Sequence, residues 1–162
     1  MDKERLVSMS RGLFISVEGI EGVGKSTAIE YIREWFNQAG IDHILTREPG
    51  GTPLAEDIRQ LLLSPGEETV EQNTELLLMF ASRAQNVHRV ILPALQSGRW
   101  VLADRFTDAS IAYQGAGRGI SLEMIDQLAD FVHAGVTPDL TLLLDAPVEV
   151  GMQRIAKKND VL

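Results

Sequence analysis

The 162-residue sequence predicts an α/β fold, a parallel sheet with helices on both faces. Short apolar runs alternate with segments whose apolar residues recur at helical spacing. The first apolar run leads straight into a glycine-rich loop, and cap or breaker residues mark most later changes of element.

Leu13 to Glu18 (LFISVE) is an apolar run with the length of a buried parallel strand. Ser26 to Gln38 carries Ile29, Ile32 and Phe36 on one helical face and is stopped by Gly40. His43 to Thr46 is a second strand. Thr52-Pro53 is an N-cap and first-turn pair for a helix running to about Leu63, which Ser64-Pro65-Gly66 breaks. Residues 72 to 97 read as one long helix with a bend near Pro93, and WVLAD (100–104) is the next strand. Ser121 caps an amphipathic helix through Leu122, Ile125, Leu128 and Val132. Leu140 to Leu144 is the last clear strand, and a final helix starts near Pro147. No repeat, low-complexity tract or linker interrupts this order, so one domain is expected, with its ligand at the carboxyl ends of the strands.

Composition narrows the class. Hydrophobic content of 44% and charged content of 23% suit a soluble globule. The net charge of -8 argues against nucleic acid as the main partner, because a phosphate backbone demands a basic face. No apolar stretch has the length of a membrane span, and MDKERLVSMS lacks the apolar core of a signal peptide. A cytoplasmic location is therefore expected. With no cysteine there are no disulfides or thiolate metal sites, and His43, His88 and His133 have no metal-ligand spacing.

Two motifs carry chemistry. Gly19-x-x-x-x-Gly24-Lys25-Ser26 matches the P-loop pattern and lies between a strand and a helix, the context that gives the pattern meaning. Loop amides over Gly19, Ile20, Glu21, Gly22, Val23 and Gly24, with Lys25, Ser26 and Thr27, are expected to hold ATP. Lys25 would bridge the β- and γ-phosphates, and Ser26 would ligate Mg²⁺. The strand Val101-Leu102-Ala103 ends in Asp104, which is placed to reach Mg²⁺ or its water shell. The expected fold is thus the three-layer P-loop NTPase type. An acid within a phosphate loop, Glu21, is unusual and asks for a role of its own.

The stretch DRFTDASIAYQGAGRG (104–119) resembles the signature of bacterial-type thymidylate kinases. The resemblance extends to TREPGGTPLAEDIR (46–59), TELLLMFASRAQ (74–85) and LLLDAP (142–147), and no Asn-Lys-x-Asp guanine motif is present. It implies transfer of the ATP γ-phosphoryl group to dTMP, giving dTDP for dTTP synthesis and DNA replication. Alternatives are a kinase for another nucleoside or nucleotide, or a P-loop ATPase acting as a switch.

The resemblance also implies site roles. Lys25, Arg105 and Asp104 would be catalytic, with Arg105 between donor and acceptor phosphates. Arg59, with Arg47 and Glu48 nearby, would serve the acceptor end. Arg83 would hydrogen-bond the base edge, and Ser110 and Gln114 would face its other polar atoms. Met79 or Phe80 would stack on the ring, and Phe80 is the preferred choice. Tyr113 would crowd the 2′ carbon, and Glu21 would accept from the 3′-hydroxyl. Partners implied are ATP, dTMP and a second copy in a homodimer, with no nucleic acid or membrane.

The family match begins after residues 1–11, an expected flexible tail, leaving 12–162 as the kinase domain. The family continues past Gly151 with an arginine-bearing lid, a strand and a closing helix, whereas this sequence stops at Leu162. Arg154, Lys157 and Lys158 match the start of that lid. A chain ending there is expected to bind nucleotide weakly and turn over little, since its phosphate loop contains no arginine.

Overall fold

The computed structural model describes residues 11–64 and 68–159. Four parallel strands, β1 (Phe14–Glu18), β2 (His43–Arg47), β3 (Trp100–Asp104) and β4 (Leu140–Leu143), form one sheet in the order β2-β3-β1-β4. The helices are α1 (Lys25–Gln38), α2 (Pro53–Leu63), α3 (Gln72–Asn86), α4 (Leu92–Gln96), α5 (Thr107–Ser110), α6 (Leu122–His133) and α7 (Val148–Asn159). Among the elements read from sequence, all four strands are present to within a residue at each end. Of the expected tail, Arg11 alone is described, 3.5 Å from Asp139. Residues 1–10, the breaker pair Pro65-Gly66 and the Lys158 side chain lie outside the described residues.

The sheet faces follow from the strand period of two. On one face Phe14, Val101 and Ala103 pack with Val87, Ile91, Leu95 and Phe106. On the other, Ile15, Val17 and Leu102 pack with Phe36, while Ile29 and Ile32 of α1 close the cluster. A third cluster joins α3 to α6 through Leu76, Phe80, Ile125, Ala129 and Val132. The cap readings hold: Thr52 Oγ1 accepts from Ala55 N at 3.2 Å, and Ser121 Oγ from Met124 N at 3.3 Å.

The long helix predicted over 72–97 is continuous but not uniformly α. Val87–Ile91 is a π-helical stretch between α3 and α4, so the irregularity precedes Pro93. A second π stretch, Ile111–Ala116, extends α5. The sequence reading places no helix there, and Gly115, Gly117 and Gly119 weigh against one. Such insertions re-aim side chains and occur often at functional sites.

Register places the chemistry. Val17 of β1 pairs with Asp104 of β3, and Arg47 of β2 pairs with the same Asp104. The phosphate loop, the strand-end acid and the Arg47 loop therefore emerge side by side at the carboxyl ends of the strands.

His133, at the end of α6, is buried, with Nε2 3.0 Å from Thr107 Oγ1 and its ring 4.8 Å from that of Phe106. Burial, and then the nearby positive Arg83, push its pKa down from 6.5 to about 4. The unfolded chain thus binds the proton more readily than the native one, so this group costs stability as pH falls from 6.5 towards 4. The loss should be on the order of 2–3 kcal/mol. Thermal melts at both ends of that window should show a shallower decline for His133→Gln than for the native chain.

Candidate active site

The P-loop runs from β1 into α1. Gly22 (φ +73°) cannot be replaced without strain, and an added Cβ would also run into the Gly151 carbonyl of α7. Gly24 (φ +111°) faces open space. Lys25, the first residue of α1, is buried, and its Nζ donates to the Gly19 and Ile20 carbonyls, each at 2.9 Å. Burial, followed by the charge of Arg105, holds its pKa below the ordinary lysine value. Arg154, expected at the start of a lid, lies on α7 and donates to the loop carbonyls of Gly22 (3.1 Å) and Val23 (3.2 Å).

Asp104 ends β3 with its Oδ1 buried and unpartnered. An orphaned carboxylate oxygen beside a phosphate loop suits a cation that the phosphates and Ser26 would share. Among the described residues no group of three or more His, Cys, Asp or Glu could hold a metal unaided. That combination fits Mg²⁺, which is usually bound through one or two carboxylates plus substrate phosphates.

The next residue is strained. Arg105 has φ +74°, a conformation that costs on the order of 1–3 kcal/mol in a non-glycine residue. It is held from both sides: Arg105 N donates to Val17 O (3.1 Å), and Phe106 N donates to Glu18 Oε1 (2.6 Å). Glu18 is buried, and burial raises its carboxyl pKa against the pull of the Phe106 amide. Sequence reading missed this clamp, since Glu18 looked like the end of a strand.

The twisted turn aims Arg105 at Glu21. Arg105 Nη2 lies 2.9 Å from Glu21 Oε1, Tyr113 OH donates to Glu21 Oε2 at 2.7 Å, and the guanidinium sits 5.0 Å from the Tyr113 ring centre. Burial raises the Glu21 carboxyl, but the Tyr113 hydroxyl and the Arg105 charge outweigh it and hold the pKa below its ordinary value. The acid that seemed out of place in a phosphate loop is thus compensated by a cation just after β3 and a phenol from the second π stretch.

A cleft of about 590 Å³ runs from Ser26 and Asp104 past Arg105 to Met79 and Gln114. Arg59 and Arg47 stand in its wall. Arg59 Nη1 donates to Pro49 O at 2.8 Å, and burial, then the charge of Arg47, lowers its pKa. Arg47 is exposed and pairs with Glu56 at 2.7 Å.

One expectation changes here, and several expected contacts also hold internal partners. Phe80 does not face the cleft; it is 2% exposed and belongs to the α3–α6 core, while Met79 lines the cleft. Successive helix residues point about 100° apart, so only the packing of α6 decides which of the two turns outward. Glu48 spends its carboxylate internally, on Arg83 Nε (2.6 Å) and Asn86 Nδ2 (3.3 Å). Arg83 and Ser110 are wholly buried, and Arg83 Nη2 donates to Phe106 O (3.1 Å) and Ser110 Oγ (3.0 Å). Arg83 is a structural hub with one free donor, Nη1. Gln114 is buried too, with Oε1 unpartnered.

Met79→Ala should weaken binding of the cleft's ligand with little change in melting temperature. Phe80→Ala should cost about 3–5 kcal/mol of stability. Denaturant titration alongside ligand titration separates the two, and equal stability losses would contradict the assignment.

A parallel sheet with a phosphate loop after β1, an acid ending β3 and a cleft beside them that carries Arg47, Arg59 and Arg105 fits a P-loop kinase of small phosphorylated acceptors. The thymidylate kinase family model matches residues 17–161. The chain is 59% identical over 147 residues to the thymidylate kinase of Ectopseudomonas mendocina (strain ymp), covering 91% of this chain and 70% of that one. It is 55% identical over 148 residues to that of Marinomonas sp. (strain MWYL1), with the same coverage. A crystal structure of thymidylate kinase from Ehrlichia chaffeensis superposes with a TM-score of 0.73 at 40% identity, over 93% of this chain and 87% of that one. The chain belongs to the thymidylate kinase family.

Proposed function

We propose that the cleft binds dTMP and that the chain, over a domain spanning 12–162, transfers the ATP γ-phosphoryl group to it. The observation that carries this reading is the pair of orphaned atoms, a donor on Arg83 Nη1 and an acceptor on Gln114 Oε1. A thymine ring presents their complements, the O4 acceptor and the N3–H donor. Buried polar atoms are rarely left unpaired, so unpaired ones of opposite kind suggest a ligand that satisfies both.

In this proposal the loop amides and Lys25 hold the donor phosphates, and Arg59 with Arg47 holds the acceptor phosphate. Arg105 lies between them and stabilises charge on the transferring group. Mg²⁺, held at Ser26 and Asp104, would neutralise charge between the phosphates. Met79 covers the ring, Tyr113 crowds the 2′ carbon, and Glu21 meets the 3′-hydroxyl.

A homodimer in the cytoplasm completes the proposal. Among the described residues no helix is long and apolar enough to cross a membrane. Leu77 of α3 and Phe131 of α6 are large exposed apolar side chains suited to such an interface. The test of function is a coupled assay with ATP, Mg²⁺ and a panel of nucleoside monophosphates. Preference for dTMP supports the reading; ATP hydrolysis indifferent to every monophosphate overturns it.

A further inference from the structure

Gln114 is buried, and its amide has two chemically different ends. Its Nε2 donates to Glu75 Oε1 at 2.7 Å, and Arg118 Nη2 holds the other oxygen of Glu75 at 2.9 Å. A carboxylate has no hydrogen to give, so it can pair only with the amino end of the amide. The carbonyl end, Gln114 Oε1, is thereby left buried and unpartnered. Glu75 and Gln114 both line the cleft, while Arg118 is exposed outside it.

We infer that Glu75 is the specificity-determining positioning residue of the base pocket: it fixes the flip of the Gln114 amide and so makes the pocket demand a base with an N3–H. This rests on the reading of the cleft as a dTMP site. Thymine and uracil carry a hydrogen on N3, whereas cytosine presents a bare acceptor there. With the amide held by Glu75, thymine donates to Oε1, and cytosine would set two acceptors against each other. Discrimination against cytosine then comes from leaving buried polar groups unpaired, the strongest means a pocket has. Glu75 itself need not touch the ligand.

The Glu75→Gln variant offers either an oxygen or an amino group to Gln114, so both flips become available. The rotated amide can donate to cytosine N3. Binding of dTMP, dUMP and dCMP to the native chain and the variant, by titration calorimetry, tests this. The dTMP-to-dCMP affinity ratio should fall by about tenfold in Glu75→Gln, the scale of one hydrogen bond. The dTMP-to-dUMP ratio should stay unchanged, because both bases carry N3–H. General loosening of the pocket would instead lower all three affinities together. Arg118→Gln leaves the Glu75 carboxylate on Gln114 and should change the dTMP-to-dCMP ratio by no more than about twofold, as expected for an exposed ion pair.

Parallel losses for all three ligands, an unchanged dTMP-to-dCMP ratio, or an equal fall in Arg118→Gln would overturn the role of Glu75. Failure of the native chain to bind dTMP at all would instead remove the reading on which it rests.

Discussion

Lys25→Ala is expected to lower kcat by about 10²–10³, the cost of removing one charge or donor aimed at a transition state. The fold should survive. Among the described residues the hydrogen-bond partners of Lys25 Nζ are the loop carbonyls of Gly19 and Ile20, and the side chain belongs to none of the apolar clusters. The side chain is buried, and a charge with little water around it acts on a nearby phosphate more strongly than one in bulk solvent. Steady-state kinetics with ATP and dTMP, beside a thermal melt of the same preparation, checks both halves. A folded Lys25→Ala protein with near-native kcat would rule out phosphoryl transfer at this loop.

Arg83→Ala should be more damaging than a lost base contact alone. The guanidinium is wholly buried, packed 4.6 Å from the Phe80 ring centre and bonded to Glu48, Phe106 and Ser110. Its removal strands the Glu48 carboxylate, with Asn86 its remaining partner. Breaking a buried pair in this way costs about 3–5 kcal/mol. For a domain of this size that means a drop in melting temperature of roughly 10 °C. Burial pushes the Glu48 carboxyl up, and Arg83 is the largest influence pulling it down. Burial already prevails with Arg83 in place; without it the carboxyl rises further, so the native state of the variant takes up a proton still more readily than the unfolded chain. The contribution of Glu48 to stability is then fullest in acid and is lost as pH rises through its raised pKa. Measured against the native chain at each pH, the deficit should shrink as pH falls. The double change Arg83→Met with Glu48→Gln should recover much of the stability and none of the dTMP affinity. Recovery of both would show that Arg83 is only a packing residue.

Where chemistry is carried by contiguous residues, it was legible without coordinates. Gly19 to Ser26 are one loop, and Asp104-Arg105 is one strand end. Distances within such segments are set by bond lengths and backbone conformation. Cap chemistry was legible for the same reason, as at Thr52 and Ser121, where donor and acceptor are three residues apart. The π stretch carrying Tyr113 and Gln114 was not, since it packs through Ile111 on the α3–α6 cluster, a contact between distant segments.

The clamp on Arg105 is a further case. Glu18 and Phe106 are 88 residues apart, and only the pairing of β1 with β3 brings them together. The same holds for Glu48 with Arg83 and for Glu75 with Gln114, separated by 35 and 39 residues. Sequence resemblance named Glu48, Arg83 and Gln114 as ligand contacts but did not show their internal partners: Arg83 and Asn86 for Glu48, Phe106 and Ser110 besides Glu48 for Arg83, and Glu75 for Gln114.

The amino-acid sequence by itself determined the parallel sheet, the phosphate loop and the family, because periods of 2 and 3.6 residues and an unbroken motif are local properties. Tertiary structure decided which side chains face the cleft. Met79 faces the cleft because α6 buries Phe80, and Gln114 offers an oxygen because Glu75 takes its amino group. Both outcomes depend on contacts between distant segments, and those are settled by packing and by the cost of burying an unpaired polar atom.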